Sequence, residues 1–198
     1  MIGAVTAGMV ALESESDALE TGDAAPDFEL PGTDGETHTL AEFGDHEALL
    51  VVFTCNHCPY AQATYDAMNA VAADYDDLAV VAINPNDAEE YPEDSFERMV
   101  DYVETGEIDV TAYLRGESQD VARAYGAVCT PDPFLFGRED GEFRLAYHGR
   151  FDDATSPDAE PSGEPGFEMR AAVEAVLAGE TPAEAFRPAR GCSIKWRD

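Results

Sequence analysis

Val51-Val-Phe-Thr-Cys-Asn-His-Cys-Pro-Tyr60 is the stretch on which the reading of this chain turns. It continues Ala48-Leu-Leu, and the apolar, β-branched run through Phe53 predicts a strand within Glu47 to Thr54 that is covered on both faces. Behind it, Cys58 to Tyr75 predicts a helix. Ala61, Tyr65, Met68, Ala72 and Tyr75 recur at spacings of four and three, and Pro59 fits the first turn, where its missing N–H costs nothing. The Cys-x-x-Cys pair, Cys55 and Cys58, therefore falls where a buried strand gives way to a helix. Unpaired backbone N–H groups and the positive dipole end at such a start stabilise a thiolate. A lowered thiol pKa would supply the nucleophile for thiol–disulfide exchange at neutral pH. Two intervening residues let the second sulfur reach back, so the pair can close a disulfide and cycle.

Working outward, Pro26-Asp-Phe-Glu-Leu and Thr37-His-Thr-Leu flank the turn residues Pro31 to Gly35 and predict a β-hairpin. Leu78 to Ile83 predicts a second buried strand, ended by Asn84-Pro-Asn-Asp. Asp94 with Glu97 resembles a capping box, opening a helix whose Phe96, Met99, Val100 and Val103 share one face. A further helix runs from Ser118 to Tyr125 and stops at Gly126. Phe134-Leu-Phe and Glu142 to His148 form a strand pair, and a last helix spans Phe167 to Ala178. Strands alternating with helices indicate one α/β domain with a central mixed sheet flanked by helices. Its expected limits are 23–180, with a flexible N-terminal arm over 1–22 and a C-terminal tail over 181–198 packed on the domain. Met9 opens the stretch leading into the fold and competes with Met1 as the true start.

The composition narrows the function. The chain has 198 residues, with 42 Asp+Glu against 11 Lys+Arg and a formal charge of -31. That balance excludes phosphate-backbone binding, which needs Lys/Arg clusters, so neither nucleic acid nor an anionic membrane surface is an expected partner. No apolar run approaches the ~18–20 residues that span a bilayer. Self-repulsion on this scale destabilises a compact state in dilute buffer, whereas molar salt screens it over roughly 3 Å. The expectation is a halophilic, cytoplasmic protein. Four cysteines, Cys55, Cys58, Cys129 and Cys192, are too few and too unevenly spaced for a disulfide-stapled secreted scaffold.

With Ala25-Pro-Asp-Phe-Glu-Leu, Phe53-Thr-Cys-Asn-His-Cys-Pro-Tyr, Gly126-Ala-Val-Cys-Thr-Pro-Asp-Pro-Phe-Leu-Phe and Gly191-Cys-Ser-Ile-Lys-Trp, the chain resembles the thioredoxin superfamily. Within it, the likeness is to the peroxiredoxin-like redoxins labelled alkyl hydroperoxide reductase/thiol-specific antioxidant. The resemblance implies a thioredoxin fold with an N-terminal hairpin extension, and redox chemistry at cysteine. It also implies a cis proline facing the redox pair. The Pro-x-x-Phe-Leu pattern gives that place to Pro131, after Thr130, with Pro133 as the other candidate. Two positions depart from the pattern. Peroxiredoxins resemble one another in a Thr or Ser three residues before the peroxidatic cysteine, where this chain has Cys55 or Val52. Thioredoxins carry a buried Asp six residues before the first cysteine, where this chain has Leu49.

Three further residues carry open readings. His57, between the cysteines, either tunes the first thiolate as a cationic imidazole or is a solvated turn residue. Cys129 is either a redox thiol or soft-metal ligand beside Thr130 and Pro131, or a small buried hydrophobe. Cys192 is either a resolving thiol or a packing residue, in a tail anchored by Ile194 and Trp196. His38, His46 and His148 show no metal-ligand spacing and read as surface or strand-end residues. The expected function is a thiol–disulfide oxidoreductase with Cys55 as attacking thiolate and Cys58 as resolving thiol, supported by His57, Thr130 and Pro131. Its partners would be protein or small-molecule disulfides and thiols, with no resident metal or cofactor. Two alternatives stand beside it: a thiol peroxidase acting on peroxides, and a non-enzymatic soft-metal carrier or redox sensor.

Overall fold

The computed structural model describes residues 10–198, so the choice between Met1 and Met9 lies outside the described residues. The described residues begin with β1 (Ala11–Glu13), the hairpin β2 (Glu29–Pro31) and β3 (Thr37–Thr39), and the central strand β4 (Ala48–Phe53). Then come α1 (Pro59–Gln62), α2 (Tyr65–Asp74), β5 (Leu78–Asn84), α3 (Phe96–Glu104) and β6 (Ala112–Arg115). α4 (Asp120–Tyr125) leads to β7 (Cys129–Thr130), β8 (Asp132–Glu139) and β9 (Glu142–Gly149). α5 (Phe167–Leu177), β10 (Phe186–Arg187) and β11 (Arg190–Ser193) complete it.

Six strands form the main sheet in the order β10-β9-β8-β4-β5-β6. β4 runs parallel to β5 and β5 to β6, whereas β8 is antiparallel to both β4 and β9, so the sheet is mixed as the sequence predicts. Every residue of β4 and β5 is buried. Alternation sends Leu50, Val52 and Val80 to one face, with Met68, Met99 and Val173. Leu49, Val51, Phe53, Val81 and Ile83 go to the other, with Tyr125, Phe134 and Phe136. Full burial of such a side chain stabilises by about 1.5–3 kcal/mol, so the strand that delivers Cys55 is firmly held in the core.

The helix expected over Cys58 to Tyr75 is two helices. Thr64 interrupts it: its N–H and its hydroxyl both donate to the Ala61 carbonyl (3.0 and 2.8 Å), tightening the turn between α1 and α2. α3 begins as expected, but Ser95 is its cap, its hydroxyl accepting from Arg98 N at 3.3 Å. Asp94 is turned inward. Of the predicted stripe only Met99 is fully buried, and Phe96 and Val103 are exposed. β6, β10 and β11 are short strands for which the sequence pattern gave no sign.

Part of the segment expected as an arm is described, and there Ala11–Glu13 pair antiparallel with β11. β11 also pairs with β7, placing Cys192 opposite Thr130 in a second, three-stranded sheet. Gly191 makes this approach possible: a Cβ there would lie 2.2 Å from the Thr130 carbonyl oxygen. Beyond β11 the Lys195 carbonyl accepts from Asp87 N (2.9 Å) and Gln119 Nε2 (2.8 Å), and Lys195 N donates to Asn86 Oδ1. Ile194 is buried, while Trp196 is 37% exposed with the Arg123 guanidinium 4.7 Å over its ring.

Candidate active site

β4 ends at Phe53, and the next five residues cross from the sheet to α1, whose N-cap is Cys58 and whose first residue is Pro59. Asn56 pins this crossing. Its N–H donates to Asp94 Oδ1 (2.7 Å) and its side-chain amide to the Glu93 carbonyl (2.9 Å). Its own carbonyl accepts from Gln62 Nε2 and the Tyr102 hydroxyl, and its Oδ1 from the Tyr113 hydroxyl. The Tyr65 hydroxyl donates to the Cys55 carbonyl. Tyr65 and Tyr102 thus fix the backbone that carries the cysteines, and Tyr113 fixes the Asn56 side chain.

On the facing side, the peptide bond between Thr130 and Pro131 is cis, as the resemblance implies for Pro131. Both sulfurs of the pair lie at Thr130: Cys55 Sγ is 3.2 Å from its hydroxyl, and Cys58 Sγ is 3.6 Å from its carbonyl oxygen. Cys58 is disulfide-bonded to Cys192, 134 residues away, and Cys55 and Cys129 are unbridged. The expected Cys55–Cys58 bridge is therefore absent from this form, and Cys192 is more than a packing residue. Cys129 is fully buried, donates toward the Pro131 carbonyl at 3.6 Å, and has its thiol pushed well up by burial and then by Asp132. That is the behaviour of a small core residue.

The electrostatics reverse one expectation. Cys55 has no exposed surface, and its thiol is pushed up to about 12. Burial is the largest cause and the Asp94 carboxylate the next. The Thr130 hydroxyl and the amides of Cys58 and His57 pull the other way without overcoming them. The amides at the helix start do act as foreseen, but α1 is one turn long and the strand end lies in the core. His57 does not sit in solvent and does not offer its donor to the sulfur: Nδ1 donates to Asp94 Oδ2. Its ring stacks on Tyr91 (5.4 Å), over which Lys195 Nζ sits at 5.6 Å, and its Nε2 is buried without a hydrogen-bond partner.

Asp94 is the site residue that sequence reasoning missed. Its Oδ1 accepts from Asn56 N and Asn84 Nδ2 (3.3 Å), its Oδ2 from His57 and from Asn86 Nδ2 (2.9 Å). Burial works to raise this carboxyl, yet the donors, led by His57 and Asn86, hold it below its ordinary value. A buried carboxylate therefore stands beside the Cys-x-x-Cys segment, delivered by the turn before α3, although Leu49 occupies the place where thioredoxins carry one. Cys55, His57 and Asp94 are the one group among the described residues whose potential metal-ligand atoms lie within 4.8 Å of one another. The soft-metal set of Cys55, Cys58 and Cys129 is not assembled, since Cys58 is committed to Cys192. With both Asp94 oxygens already holding two donors each, the group reads as a hydrogen-bonded imidazole–carboxylate pair with the Cys55 thiol beside it.

A cysteine pair between a buried central strand and a helix, faced by a cis proline, defines a redoxin of thioredoxin fold. The chain belongs to the AhpC/TSA family, whose model matches residues 21–144. It is 45% identical to a hypothetical protein from Sinorhizobium meliloti 1021 (TM-score 0.82, covering 93% of this chain and 98% of that one). To an uncharacterised conserved protein from Geobacillus kaustophilus it is 39% identical (TM-score 0.85, 96% and 98%). A putative thiol:disulfide interchange protein DsbE from Chlorobium tepidum is 26% identical (TM-score 0.53, 64% and 84%). No curated protein matches the chain significantly. The family contains thiol oxidoreductases and peroxidases, so the protein is an oxidoreductase-type redoxin.

Proposed function

We propose that this protein is a thiol–disulfide oxidoreductase whose redox pair is Cys55 and Cys58. The observation that carries the reading is the convergence of both sulfurs on Thr130 beside the cis Pro131. Cys55 attacks a substrate disulfide and forms a mixed disulfide, releasing one substrate thiol. Cys58, in its reduced form, then attacks Cys55 Sγ, closing Cys55–Cys58 and releasing the second thiol. The rest of the cycle is reduction by a cellular dithiol. The pinned backbone of Asn56 holds the two sulfurs at the Thr130 peptide.

A second reading, thiol peroxidase, is supported by one contact. The Thr130 hydroxyl lies 3.2 Å from Cys55 Sγ and supplies, from another strand, the hydroxyl that peroxiredoxins carry beside their reactive sulfur. Stopped-flow oxidation by hydrogen peroxide in molar KCl, with Cys55→Ser and Cys58→Ser as controls, separates the two. Slow reaction with peroxide and ready exchange with dithiols supports the oxidoreductase. Oxidation far faster than that of free cysteine, lost with Cys55, overturns it in favour of the peroxidase. We further read the acidic composition as an adaptation to a high-salt cytoplasm. The melting temperature should rise by several degrees between about 0.1 and 2 M KCl, and an unchanged value would remove that setting.

A further inference from the structure

We propose that Cys192 is a third redox thiol, exchanging with Cys55 for the sulfur of Cys58, so that the tail receives the oxidation generated at the Cys-x-x-Cys pair. This rests on Cys55 and Cys58 being the redox pair. Three sulfurs share one residue as their meeting point. Cys55 Sγ is 3.2 Å from the Thr130 hydroxyl, Cys58 Sγ is 3.6 Å from the Thr130 carbonyl, and Cys192 faces Thr130 in register while bonded to Cys58. Cys58 thus has a bonded partner on β11 and an unbridged thiol on the loop after β4.

The step conserves electrons and atoms. From the Cys55–Cys58 disulfide left by substrate reduction, the Cys192 thiolate attacks Cys58 Sγ. The Cys58–Cys192 bond forms as the Cys55–Cys58 bond breaks. Cys55 leaves as thiolate and takes up the proton that Cys192 gave up, so no outside oxidant is consumed. Burial and the neighbouring Asp94 carboxylate favour Cys55 as the protonated product. The attack is intramolecular in either direction. β11 is held to β1 and β7 by its own ladder, and by Ser193 N to the Val10 carbonyl and Ile194 N to the Val128 carbonyl, independently of the bridge. The bridged form described here is then the state after transfer: Cys55 is restored as a thiol, and the oxidation is stored at Cys58–Cys192, where the dithiol reductant acts.

The test starts from fully reduced protein in molar KCl, given one equivalent of oxidised glutathione. Samples are acid-quenched over time, alkylated with N-ethylmaleimide and mapped by mass spectrometry. In the wild type, Cys55–Cys58 should appear first and decay into Cys58–Cys192 as Cys55 returns to the alkylated pool. Cys192→Ala should stop at Cys55–Cys58, and Cys55→Ser should form Cys58–Cys192 at least tenfold more slowly. Direct formation of Cys58–Cys192 at equal rates in wild type and Cys55→Ser, without a Cys55–Cys58 precursor, overturns the relay. If Cys192→Ala still cycles Cys55–Cys58 in that case, the redox pair stands without the relay. If it forms no Cys55–Cys58 bond, both readings fall. The wild-type time course needs no variant to fold.

Discussion

Two groups of the same three residue types lie near the cis Thr130–Pro131 bond, and they differ in what their surroundings do to the carboxylate. The first is Cys55, His57 and Asp94; the second is Cys129, whose thiol meets the Pro131 carbonyl, with the pair Asp132 and His148. In each, one imidazole nitrogen meets the carboxylate and the other is buried without a partner: Nε2 of His57 and Nδ1 of His148. Asp94 is surrounded by the amides of Asn56, Asn84 and Asn86, and its carboxyl is held below the ordinary value. Asp132 has His148 Nε2 at 2.7 Å and Val128 N at 3.2 Å, and there burial wins, raising its carboxyl. His148 is stacked 3.9 Å from the Phe134 ring, with Phe186 at 5.2 Å, so the strand-end histidine of the sequence reading is a core residue. The lesson is that donor count, more than residue type, separates a carboxylate held ionised beside the cysteine pair from a packed polar core.

The sharpest way to break this distinction is to delete each thiol. Cys55→Ser should reduce dithiol exchange by roughly a thousandfold or more, as loss of a nucleophile does, while Cys129→Ser should leave it within about threefold. Equal losses in a turnover assay would erase the difference. Next in size is stability. Asp132→Ala strands His148 in the core and should cost about 3–5 kcal/mol, lowering the urea midpoint accordingly.

Subtler is the thiol's own titration. Asp94→Asn removes the charge that burial's effect is added to, so the Cys55 thiolate absorbance in the far ultraviolet should appear roughly one pH unit lower. Cys55→Ser provides the blank, and an unmoved profile would mean that burial alone sets the thiol.

The smallest effect is a difference in sign on the acid limb. Asp94, depressed in the fold, contributes stability above its ordinary value near 3.8 that is lost as pH falls through the folded value. Asp132, raised in the fold, contributes stability present below 3.8 and lost as pH rises through its folded value. Urea midpoints between about pH 6 and 3 should therefore fall less steeply for Asp94→Asn than for wild type, and more steeply for Asp132→Asn. The two variants should depart from wild type in opposite directions. Parallel curves would mean that the two carboxylates do not differ.

How far the sequence discloses all this depends on whether the determinant is local. β4 and β5 are continuous apolar runs, the hairpin is framed by turn residues, and Pro59 and Gly126 mark helix limits, so these elements are legible. β6 and β11 are four residues each and draw their strand character from neighbours distant in the chain, which no window over the sequence contains. The site divides in the same way. Cys55, Cys58, Thr130 and Pro131 are visible in two motifs. Asp94 carries the signature of a helix cap, and only the turn of Pro92–Asp94 aims it inward and leaves the capping to Ser95. Likewise, the partner of Cys58 is 134 positions away, and spacing alone favours the nearer Cys55.

Gly191 has a consequence for reading other chains. A side chain at that position would collide with the Thr130 carbonyl, so the last strand can lie against the proline turn only when a hydrogen stands in place of a methyl. Wherever a redoxin of this shape ends in a cysteine without a glycine before it, that cysteine should be unable to reach the second sulfur of the pair. A Gly-Cys dipeptide far beyond Cys-x-x-Cys, here 134 residues past the second cysteine, thus becomes a textual marker, legible in bare sequence, for which members of the family can bolt their tail to the reaction centre.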